Sequence, residues 1–143
     1  MFEKFAMVRL AHPRPFREPA CMPTGVTWLR RWARQVWPRR EPRECCWYHG
    51  GDWHAVSAMA LDVLKRARTE GIAAEDMEEY ALAHAAAAGT GLWQSEALAT
   101  LFSVADAIQP AKGPGYVNGQ HRSQAMLDAG VRRAVVLRMV WPS

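Results

Sequence analysis

The clearest stripe of apolar positions is Val56, Met59, Ala60, Val63, Leu64 and Ala67. This spacing is one face of a helix over Trp53 to Thr69. Asp52 stands where an N-cap belongs and Gly71 where a helix ends. Lys65, Arg66 and Arg68 fall in its last turns, where positive charge suits the helix dipole. A second stripe, Met77, Tyr80, Ala81, His84 and Ala88, predicts a helix over Ala73 to Ala88, with Glu75, Asp76, Glu78 and Glu79 crowding its start. A third, Leu98, Leu101, Phe102, Ala105 and Ile108, predicts a helix over Glu96 to Ile108, capped by Ser95 and stopped before Pro110. Earlier, Trp28, Leu29, Trp32, Val36 and Trp37 form the broad apolar side of a helix over Thr27 to Trp37, with Thr24 and Thr27 as candidate caps. Pro38 ends it.

After Gly113-Pro114-Gly115 the period changes. Tyr116-Val117 are strand formers, Asn118-Gly119 is a turn pair, and Ser123 reads as an N-cap or first-turn residue. Gln124 to Ala129 suits a helix that Gly130 closes, and Ala134 to Val140 is an apolar run short enough for a buried strand. The last stretch therefore reads strand, glycine turn, helix, strand. The pattern predicts a helix-rich α+β fold with a small C-terminal sheet around this strand–Gly-turn–helix–strand unit.

At 143 residues, half of them apolar, the chain is long enough for one domain with a real core. No run of about 18 apolar residues predicts a membrane span. Met1 to Phe5 carries a charged pair and does not read as a signal peptide. Three cysteines, two of them adjacent, are no disulfide framework, so a cytoplasmic setting is expected. The net charge of +4 is uneven. Residues 1–44 hold ten Lys/Arg against four Asp/Glu, a balance of +6; residues 45–143 hold eight against ten, a balance of −2.

This divides the chain into a basic Pro/Trp/Arg-rich arm with the first helix (1–44) and a single α+β domain (45–143). Pro13, Pro15, Pro19 and Pro23 favour an extended arm in residues 1–25, with a short strand at Phe5 to Leu10. Arg30, Arg31, Arg34, Arg39 and Arg40, interleaved with tryptophan, are candidate nucleic-acid contacts. Arginine pairs with phosphate, and exposed aromatics stack on bases. The competing reading is a tryptophan stripe facing the core beneath a solvated arginine face.

Cys45-Cys46-Trp47-Tyr48-His49 contains zinc-ligand types, with two residues between Cys46 and His49. Adjacent cysteines rarely ligate one metal with good geometry, and no second Cys/His pair is spaced to help. Buried cysteines and a hydrogen-bonded histidine are expected here, and no metal site. No Ser/His/Asp arrangement can be argued from spacing. His84 on its alanine-rich helix reads as packed or exposed.

The turn at 119 carries the chemistry. Glycine lets backbone approach a ligand, and a helix N-terminus offers unpaired N–H groups and the positive end of a dipole. His121 and Arg122 add side-chain donors. Here Asn118-Gly119-Gln120-His121-Arg122 resembles the Gly-x-x-Arg box of the ParB/sulfiredoxin-like superfamily. It comes closest to the branch that reads Asp-Gly-Gln-His-Arg. The likeness covers Leu98 to Val140, including a helix ahead of the strand that leads to the box. It implies a phosphate site at Gly119, Gln120, His121, Arg122 and Ser123, with CTP or ATP and magnesium as ligand. Sulfiredoxin's catalytic cysteine would fall at 120, which is Gln here, so that enzyme's repair chemistry is not implied. Neither a second phosphate motif nor a helix-turn-helix follows the box.

The sequence thus favours a ParB/sulfiredoxin-like protein that binds nucleotide or phosphate and acts with DNA. Nucleoside triphosphatase activity is compatible with this, although no nucleophile or magnesium carboxylate identifies itself. The alternatives are a basic DNA- or RNA-binding accessory protein without nucleotide, or a protein–protein adaptor with tryptophan anchors. An oligomer is compatible with each.

Overall fold

A computed structural model of the chain describes residues 1–10, 28–37, 44–113 and 115–138. The architecture is α+β. In chain order it comprises β1 (Phe2–Ala6), α1 (Trp28–Val36), α2 (Trp53–Glu70), α3 (Met77–Ala87), α4 (Leu92–Phe102), β2 (Gln109–Pro110), β3 (Tyr116–Asn118), α5 (Gln120–Ala129) and β4 (Arg133–Leu137). Short 3-10 turns occupy Met7–Arg9 and Trp47–His49.

The central helix, α2, follows its sequence signals. Asp52 Oδ1 accepts the N–H groups of His54 (2.9 Å) and Ala55 (3.2 Å), and Gly71 ends the helix at φ 71°. Trp53, Val56, Ala60, Val63, Leu64 and Ala67 lie in the core. Against α2 pack α3 and α4, whose alanines allow close approach: Ala81, Ala85 and Ala97 are fully buried.

Three helices start elsewhere than their patterns suggest; one is α5, which begins at Gln120, a turn ahead of the expected Gln124. α3 begins at Met77 instead of Ala73, because Ala73 to Asp76 close a turn of their own (Asp76 N–H to Ala73 C=O, 3.2 Å). α4 begins at Leu92, with Gly91 as N-cap. Ser95 therefore lies inside the helix, and its hydroxyl pairs with that of Thr90 at 2.8 Å. α4 stops at Phe102; Ala105 is exposed, and Ile108 is buried on the approach to β2.

The sheet also draws on the N-terminus. β1 pairs antiparallel with β4, from Phe2 opposite Leu137 to Ala6 opposite Arg133. The N-terminal strand thus lies at Phe2–Ala6, displaced from the expected Phe5 to Leu10. The following turn still buries Met7 and Leu10, and Met7 N–H reaches Arg132 C=O at 3.0 Å. β2 pairs antiparallel with β3. Leu137 N–H donates to Ile108 C=O (2.9 Å), so the two small sheets adjoin there. Ala134 to Leu137 are all buried, as the apolar run predicts.

α1 forms where the pattern places it and lies beside α5. Its apolar side does not face the core: Trp28 (73%) and Trp37 (72%) are the most exposed, and Leu29, Trp32 and Val36 are exposed as well. The proposed contacts Arg39 and Arg40, and the side chains of Arg30, Arg31 and Arg34, lie outside the described residues. No helix among the described residues is long and apolar enough to cross a membrane.

Candidate functional site

The box at the start of α5 is built by a glycine that no other residue replaces. Gly119 sits at φ 85°, and a Cβ there would lie 2.6 Å from the Cα of Ile108. The turn is pinned on its other side by Asn118. Its Oδ1 accepts the Gly119 N–H (2.7 Å), and its Nδ2 donates to Ala105 C=O (2.6 Å). Gly119 is the N-cap, so α5 starts at Gln120 and no side chain caps it. Ser123 is therefore not a cap. Its N–H makes the first helical bond, to Gly119 C=O (2.9 Å), and its side chain is buried. The earlier N–H groups of this turn have no i−4 carbonyl within the helix.

Arg122 is the unusual member. Only 5% of it is exposed, and its Nε has no hydrogen-bond partner. Burial pulls the guanidinium below its usual pKa, while Tyr48 and Asp106 act in the opposite direction. Arginine nonetheless stays charged in proteins. A buried charge is costly unless it is paired. The Ser123 hydroxyl and the Gln124 amide also lack partners. Gln124 lies about 200° around the helix from Arg122 and does not share its side. Gln120 and His121 are half-buried.

A second group of side chains lies along α5. The turn Trp47–His49 is held over the helix by indoles: Trp93 Nε1–H donates to Trp47 C=O at 2.9 Å, and Trp53 Nε1–H to Tyr48 C=O. Trp93 packs so tightly on Gly51 that a Cβ there would lie 2.1 Å from its ring. This places Tyr48 face to face with His121, centroids 5.0 Å apart at 11°. It also brings His49 Nε2 within 3.0 Å of Asp128 Oδ2. The other imidazole nitrogen, Nδ1, lies 3.2 Å from Cys46 Sγ. Burial alone would lower the His49 pKa, but the bonds to Asp128 and Cys46 and their charges outweigh it, so it is raised above 6.5.

Cys46, His49 and Asp128 thus form a thiol–imidazole–carboxylate chain. The expectation of a hydrogen-bonded histidine holds; that of buried cysteines does not, since Cys45 is exposed and Cys46 half-buried. Cys45, Cys46 and His49 also offer donor atoms within 4.8 Å of one another, a set of the type thiophilic cations take. Asp128 was not singled out by the sequence. The available signal was one acid inside the run Ala125-Met126-Leu127-Asp128-Ala129.

His84 lies 3.7 Å from Asp62 and belongs to neither group. The clefts bordering β1 and α2, around Leu64 and Arg68, share no residue with the box. No protein-family model matches the chain, and neither a curated protein nor a solved structure matches it significantly.

Proposed function

We propose that the chain is a ParB/sulfiredoxin-like protein that binds the phosphates of a nucleotide at the first turn of α5. The observation that carries this reading is Arg122: a buried guanidinium with an unpartnered Nε in an uncapped helical turn. An anion there would pair the charge and meet the positive end of the helix dipole. Gly119 at φ 85° sets the turn that opens the helix, and the half-buried Gln120 and His121 lie in it. The resemblance of the box names CTP or ATP with magnesium as ligands to try first.

A thermal-shift series with CTP, ATP, GTP and inorganic tripolyphosphate, each with and without magnesium, tests the reading. A selective rise with one nucleotide is expected. No rise with any nucleotide or with tripolyphosphate would sink it.

A second reading, contact with DNA or RNA, draws on the exposed Trp28, Trp32 and Trp37 of α1, which lies beside the box helix. It expects duplex or single-stranded binding that weakens steeply with salt and is lost in Trp28→Ala/Trp32→Ala. Salt-independent binding, or full binding by that variant, would count against it.

A further inference from the structure

We propose that Cys46 is a nucleophilic thiol, activated by His49 and oriented through Asp128, and that its reactant is a hydroperoxide. The arrangement has the parts of a thiol–imidazole–carboxylate relay. One imidazole nitrogen faces the sulfur at 3.2 Å, and the other meets a buried carboxylate at 3.0 Å. The carboxylate comes from 79 residues along the chain and fixes which nitrogen faces the thiol. His49 is buried while Cys46 is only half-buried, so the base is the better protected of the two. Imidazole-paired cysteines hold the thiolate at a lower pH than free ones.

The turn bears on the choice of reactant. Acyl transfer needs backbone donors for an oxyanion. Two of the turn's N–H groups, those of His49 and Gly50, are engaged by the carbonyls of Cys46 (3.2 Å) and Trp47 (3.0 Å) and are not open to one. A hydroperoxide needs only a thiolate and a proton donor, the roles this pairing of Cys46 with His49 can fill. The thiolate attacks one peroxide oxygen, forming S–O as O–O breaks. The other oxygen leaves with the proton of the His49 imidazolium, as water when the reactant is hydrogen peroxide. Sulfur is oxidised by two electrons to sulfenic acid, the peroxide is reduced by two, and His49 ends neutral.

This site is independent of the phosphate reading, and its test reads thiol chemistry, not nucleotide binding. The full chain is alkylated with iodoacetamide across pH 5–9, and each cysteine is followed by peptide mass spectrometry. Cys46 is expected to react at least tenfold faster than Cys45 at pH 6.5, and to approach the profile of Cys45 in His49→Gln and Asp128→Asn. Circular dichroism and thermal melts show whether each variant is folded. Should both variants fail to fold, the wild-type comparison of Cys46 with Cys45 decides alone. Dimedone after one equivalent of hydrogen peroxide should then label Cys46 in wild type. Equal profiles for the two cysteines, or no dimedone adduct at Cys46, overturns the proposal. So does stoichiometric zinc that shields Cys46 until a chelator is added, which would assign Cys45, Cys46 and His49 to a metal centre.

Discussion

Tyr48 lies parallel to His121, with ring centroids 5.0 Å apart. One residue on, His49 bonds Asp128 of the same helix. His121 and Asp128 are seven apart, two helical turns, so both contacts fall on one side of α5. A single short turn is thereby tied to both ends of the helix whose first residues form the box. Stacked aromatic pairs are worth about 0.5–1.5 kcal/mol beyond the area they bury. Tyr48→Ala is expected to lower stability by about 1–3 kcal/mol in urea unfolding, and Tyr48→Phe by under about 1 kcal/mol. Equal losses in the two variants would place the Tyr48 contribution in its hydroxyl and not in the stack.

Gly119→Ala meets two penalties together. The left-handed backbone is strained for any side chain, and the new Cβ would press on the Ile108 backbone at 2.6 Å. The expected loss is about 2–4 kcal/mol. Gly71→Ala, at φ 71° with open space around its Cβ, carries only the first penalty and should cost about 1 kcal/mol. Chemical denaturation of the two variants side by side checks the difference. A Gly119→Ala protein as stable as Gly71→Ala would mean that the turn relaxes away from β2.

The raised pKa of His49 predicts a sign for the pH dependence. The folded state favours the imidazolium more than the unfolded state does, so its contribution is complete below about 6.5 and is lost as pH rises through the folded value. Unfolding free energies of wild type and His49→Gln, measured from pH 5 to 8, should therefore differ most at pH 5 and converge towards pH 8. Cys46 and Asp128 both face the ring, so the curve belongs to the group of three. A gap that widens with pH would show that burial, not the bonds to Asp128 and Cys46, governs the ring.

Legibility in the sequence followed the range of the forces involved. α2 was readable from end to end because its cap, stripe and terminating glycine are local. The strand and the turn at Gly119 were legible too, but α5 starts at Gln120, a turn ahead of Gln124, because its cap is the positive-φ Gly119 and not Ser123. α4 starts a turn early, before Ser95, with Gly91 as its N-cap, and so holds Trp93 against Gly51, a contact no periodicity reports. β1 was displaced because its register is set by β4, about 130 residues away in sequence. Asp128 stayed hidden for the same reason: a lone acid among alanines acquires meaning only when the fold delivers His49 to it.

The most direct test of the phosphate site is the melting temperature of Arg122→Met with and without the nucleotide that stabilises wild type. Arg122 is buried with an unpartnered Nε, while Asp106 beside it is exposed and loses little when the cation goes. Replacing an under-paired buried charge by an apolar chain of similar length is neutral or stabilising. The account predicts a ligand-free variant at least as stable as wild type, with nucleotide stabilisation lost through at least tenfold weaker binding, about 1.4 kcal/mol. A variant that melts several degrees lower and still responds to nucleotide as wild type does would contradict it, making Arg122 a structural residue and the box a turn.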